Sequence, residues 1–110
     1  MNIPQINKTY NYFDDGKISF SRLEEVEIKE LIPFNKASKK LLKEWQKEVK
    51  QCDWLYSEHT DYFVKGYLKD TKENIVFVRC KRINGWFSLG WNAGRLDIDG
   101  SLIKIICDGK

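Results

Sequence analysis

The chain has 110 residues with 42% apolar and 32% charged side chains and a net charge of +3, the balance of one globular domain spanning 1–110 and not of a disordered segment. No apolar run approaches the roughly 20 residues a transmembrane helix needs, and MNIPQINKTY has neither the basic start nor the apolar centre of a secretory signal, so a cytoplasmic chain without membrane contact is expected. The cysteines, at 52, 80 and 107, are odd in number and form no CxxC pair, which excludes a disulfide framework and a thiolate zinc site in favour of reduced thiols.

Residues 1–8 read as a short arm. From Thr9, TYNYF runs into Asp15-Gly16 and KISFS leaves it, the pattern of a β-hairpin whose glycine accepts the positive φ of the turn. Over 23–31 a helix reading exists through Leu23, Val26, Glu27 and Glu30, but the alternation of Val26 and Ile28 with Glu25, Glu27 and Lys29 and the nearby Pro33 favour a strand. Residues 36–52, KASKKLLKEWQKEVKQC, predict an amphipathic helix with Asn35 as its N-cap. Leu41, Leu42, Trp45, Val49 and Cys52 fall on one face, and Lys36, Lys40, Lys43, Lys47 and Lys50 on the other.

The remainder reads as strands: a short extended piece at 54–57, then 62–69 and 75–81 joined by a turn over 70–74. Asn84-Gly85 predicts a tight turn into a strand over 86–91, and Leu96 and Ile98 alternate with Arg95, Asp97 and Asp99 before the Asp99-Gly100 turn. LIKIIC (102–107) reads either as a returning strand or as a short helix, and its β-branched content tilts it toward the strand. These elements assemble most economically as an α+β domain: a mainly antiparallel sheet of five or six strands with one amphipathic helix packed on it. A partly closed β-barrel with a helical cap is the alternative.

GWFSLGWNAGRLDIDGS (85–101) concentrates glycine, tryptophan and charge. With period two, Phe87, Leu89 and Trp91 share the expected core face, leaving Trp86 opposite them beside Ser88 and Gly90, where it would either floor a shallow groove or pack under another segment. Arg95, Asp97 and Asp99 share a strand face whose simplest reading is a solvated one. An EF-hand frame around Asp97-Ile98-Asp99-Gly100 would put Arg95 first and Ile106 twelfth, neither a calcium ligand. The glycines match neither GxGxxG nor GxxxxGK[ST], so no nucleotide cofactor is implied.

Candidate chemistry is sparse. His59, between Glu58 and Asp61, is the only histidine and reads as part of a surface loop; a pairing of Cys52 with it is not demanded by spacing. Asp15 with Glu27-Ile28-Lys29 has the loose Asp…Glu-x-Lys pattern of metal-dependent nucleases, which makes a small metal-dependent hydrolase the third reading. The lysine stripe would span about 21 Å of helix at 1.5 Å per residue. It either solubilises the helix or meets a polyanion, but it holds no arginine to read bases and no aromatic to stack on them.

KTYNYFDDGKISFSR, IPF, CDWLYSEHTDYFVKG and GWFSLGWNAGRLDIDGS resemble stretches of short uncharacterised bacterial proteins of the kind carried in genomes and mobile elements. The resemblance implies a stand-alone bacterial cytoplasmic protein and carries over no activity. The function expected from the residues is therefore a non-enzymatic interaction module with a protein partner, using Lys36, Lys40, Lys43, Lys47, Lys50, Trp86 and Arg95; electrostatic nucleic-acid binding through the stripe is the alternative.

Overall fold

The computed structural model describes residues 3–14, 22–49, 59–82, 85–89 and 94–108, with side chains to 105. The expected Asp15-Gly16 turn, the 54–57 piece, Cys52, Lys50 and Trp91 lie outside the described residues. Six antiparallel strands follow one another: β1 (Thr9–Asp14), β2 (Arg22–Pro33), β3 (Thr60–Leu68), β4 (Asn74–Cys80), β5 (Gly85–Ser88) and β6 (Gly94–Asp97). Each pairs with its neighbour in sequence, and β1 also pairs with β6, setting Tyr12 opposite Leu96. The sheet is thus a closed barrel and not an open layer, and of the two expected architectures the barrel fits. Closure leaves no unpaired edge.

Alternation along the strands builds two cores. Val64 and Phe77 face each other across β3 and β4, and pack with Tyr12, Val26, Ile28, Leu68, Trp86 and Leu96 inside the barrel. Their chain neighbours Phe63 and Val76 point outward and join Leu42, Trp45 and Val49 in a second cluster. β3 and β4 are apolar on both faces because one faces the lumen and the other lies beneath a helix.

That helix, α1, spans Lys39–Glu48, shorter than the expected 36–52. The cap is Ser38, whose hydroxyl accepts from Leu41 N at 3.1 Å, and not Asn35. Asn35 instead belongs to a 3-10 turn (Phe34–Lys36) that Pro33 leads into from β2. At the other end Val49 leaves the helix and forms a parallel bridge to Asn74.

The second correction is at the end of the chain. Residues Ser101–Asp108 form a helix, α2, where β-branched content favoured a strand. Local hydrogen bonding outweighs that propensity: Asp97 and Asp99 supply carboxylates to the free N–H groups of the first turn, and Gly100 takes φ +81° to turn into it. Among the described residues no helix is long and apolar enough to cross a membrane.

Candidate functional site

α1 is held to the barrel by buried Leu42 and Trp45, which orients its opposite face outward. Lys40, Lys43 and Lys47 are exposed there, with Lys39 beside them, and none makes an ion pair among the described residues. Glu48, the acidic residue that would neutralise the end of this face, turns to Lys65 on β3. The Lys65 ammonium, 14% exposed, bonds Glu48 at 2.7 Å and Glu30 at 2.8 Å, and stands 5.5 Å from the centroid of the Trp45 ring. Burial pulls the Lys65 ammonium down, but its hydrogen bonds to Glu30 and Glu48 outweigh that, and its net displacement is upward. A carboxylate is thereby removed from the lysine face and an aromatic ring fixed beneath the helix.

Lys36 belongs to the 3-10 turn and not to α1, so the helical part of the stripe, Lys40 to Lys47, covers about 10 Å. Its position is informative. Lys36 lines an open hollow at the mouth of the barrel, together with Pro33, Phe34, Asp61, Tyr62 and Lys81. The hollow measures about 440 Å³, within the range of small-ligand sites. Phe34 stacks on Phe63 with centroids 6.4 Å apart, and Tyr62 leans on Trp86 at 6.3 Å, so both aromatic walls are backed by packed rings. Asp61 is bonded by Arg79 at 2.5 Å, and Lys36 and Lys81 make no ion pair among the described residues. Lys81 is pinned through its backbone, its N–H donating to His59 O at 2.6 Å, and exposed Arg82 follows it.

Trp86 is not on the face expected for it. It is 3% exposed and points into the barrel, while its neighbour Phe87 faces outward opposite Arg95. The Arg95 guanidinium lies over the Phe87 ring, 4.8 Å from its centroid. The structure does not bring Arg95 to the lysine face, which stands over β3 and β4, whereas Arg95 is on β6. The solvated reading of its strand face is corrected at Asp97, whereas Asp99, beyond the end of β6, is exposed. Asp97 is 5% exposed and accepts from Leu102 N and Ile103 N at 3.3 and 3.2 Å, and Asp99 accepts from Ser101 N at 2.9 Å. Both carboxylates cap α2. A smaller hollow between them, Trp86 and Leu102 therefore offers one guanidinium beside two engaged acids.

Among the described residues the other candidates do not come together, while Asp15, Cys52 and Glu58 lie outside them. Glu27 and Lys29 bond each other at 2.7 Å on the surface. Among the described residues no three His, Cys, Asp or Glu side chains gather into a metal-holding group. Sequence reasoning missed Phe34, Tyr62 and Lys81, which are up to 47 positions apart and meet only because β2, β3 and β4 end at the same barrel mouth. No protein-family model, no curated protein and no solved structure matches this chain.

Proposed function

We propose that this protein is a non-enzymatic binding module that meets a polyanionic macromolecule through the lysine face of α1. One observation carries the reading: Lys40, Lys43 and Lys47 are exposed on a helix anchored by Trp45, and no described carboxylate pairs with them. Lysines present only to solubilise a helix commonly alternate with acids in i, i+4 pairs. Here Glu48 is withdrawn to Lys65, and Glu44 makes no ion pair with Lys40. A partner that neutralises such a row gains from counterion release and long-range attraction.

The test is a titration of fluorescent poly-glutamate and of a fluorescent oligodeoxythymidylate, at low and at moderate salt. Binding to at least one polyanion is expected to weaken steeply with salt, and to disappear when Lys40, Lys43 and Lys47 are all changed to Glu. Because these side chains are exposed and make no ion pair among the described residues, the triple variant should melt as the parent does. No binding at low salt, or binding that the charge reversal leaves intact, removes the reading.

A further inference from the structure

Lys36, in the 3-10 turn that precedes the lysines of α1 in the chain, lines the aromatic hollow at the barrel mouth together with Lys81, and exposed Arg82 follows Lys81. We infer that this hollow is a nucleobase-stacking site, and that the polyanion taken by the module is single-stranded nucleic acid. The inference rests on the lysine-face reading and adds to it the identity of the ligand.

Three features favour a base over an acidic peptide. The lining includes Phe34 and Tyr62, each braced from behind by another ring, and a braced ring loses little freedom when a second flat surface stacks on it. The lysines that line the hollow, Lys36 and Lys81, have no described carboxylate partner, and Asp61 is neutralised by Arg79; an anion with an apolar, planar body meets both needs. The spacing also suits a strand. Lys40, Lys43 and Lys47 cover about 10 Å, the reach of about three phosphates of one nucleic-acid strand. An aromatic platform next to a basic track is the general arrangement by which proteins hold unpaired strands, whereas a duplex keeps its bases stacked on each other and unavailable to Tyr62.

Three fluorescent probes separate the possibilities: an oligodeoxythymidylate of about ten nucleotides, an abasic strand with the same number of phosphates, and poly-glutamate. The base-bearing strand is expected to bind most tightly. Changing Tyr62 to Ala should weaken that strand about five- to 150-fold, the effect of losing one stacked base, and leave the abasic strand nearly unchanged; Tyr62→Phe should restore binding. Lys81→Glu, at an exposed position where folding is not at risk, should weaken both strands.

If the base-bearing and abasic strands bind alike, or poly-glutamate binds as well as either, the stacking site is wrong. In that case continued sensitivity to the Lys40, Lys43 and Lys47 reversal would leave the lysine-face reading standing. If none of the three probes binds, both fall. If Tyr62→Ala lowers the melting temperature, the comparison of Lys81→Glu with the parent on the thymidylate strand still decides: equal affinity overturns the proposal.

Discussion

At Gly94 one methyl group would be enough to disturb the inside of the barrel. A Cβ there would overlap the Tyr12 ring, which is buried, T-shaped against Phe77 with centroids 5.3 Å apart, and hydrogen-bonded to Ser88 Oγ at 3.4 Å. Gly94→Ala is expected to cost about 1–3 kcal/mol through overpacking, read as a lower urea midpoint at an unchanged slope. Gly100 is different: nothing lies within 4 Å of its would-be Cβ, but its φ is +81°. Gly100→Val should therefore cost about 1–2 kcal/mol from backbone strain alone, and Gly100→Asn much less. Gly100 was legible as a turn through the Asp-Gly pair, whereas the need for glycine at 94 is set by a ring 82 positions away, which no local pattern reports. The same gap explains Trp86. Period two was read correctly, but apolar side chains occupy both faces of β5, Trp86 inside and Phe87 outside, and Leu89 just past the strand joins the cluster beneath α1. The phase of the strand was then a choice that only the closed barrel makes.

The elements show which local signals are decisive. The apolar face of α1, through Leu41, Leu42, Trp45 and Val49, follows from helical spacing alone, and its cluster with Phe63 and Val76 agrees. Its limits do not, because Asn35 and Ser38 are both capable N-caps and Pro33 commits the first of them to a 3-10 turn. α2 ranked second to a strand in the sequence since its propensity is poor and its stabilising groups lie outside it. Asp97→Ala would remove the acceptor for two backbone N–H groups from a position only 5% exposed. The expected result is a loss of about 1–2 kcal/mol, with fast hydrogen exchange confined to 101–108 while β1–β6 stay protected. Protection of α2 equal to the parent's would show that packing, not capping, holds it. Glu24 plays the corresponding part in the β3–β4 turn. Its buried carboxylate accepts from Asp70 N, Thr71 N and Thr71 Oγ1 at 2.9, 3.2 and 3.1 Å. Glu24→Ala leaves those donors unpaired, at an expected cost of about 1–3 kcal/mol, measurable by urea unfolding.

For the whole molecule, five or six antiparallel strands and one amphipathic helix were readable from alternation and turn pairs, whereas closure stood only as the alternative to an open sheet. β1 and β6 meet across more than 80 residues, and no local pattern reports that Tyr12 will stand opposite Leu96. Closure has a consequence for the response to pH, because it buries a titratable group in the lumen. Burial pushes the Tyr12 hydroxyl above its ordinary 10.0, the bond to Ser88 opposing this only in part. Lys65, on the outer wall, is moved down by burial and further up by Glu30 and Glu48, ending above 10.5. Both groups hold their proton more tightly folded than unfolded. Their contributions are therefore complete below those ordinary values and vanish as pH rises through the displaced ones. Glu27 is held below 4.5 mainly by its hydrogen bond to Lys29, a pair that lies on the surface and is screened. Urea unfolding from neutral pH upward should show stability falling beyond about pH 10, steeply for the parent and less so for Tyr12→Phe, which cannot ionise. Lys65→Met should flatten the fall in a second, separate increment, because the two side chains occupy opposite faces of the barrel wall. A parent whose stability stays level through that range would mean that the lumen admits water to Tyr12, and that the six strands do not close around it.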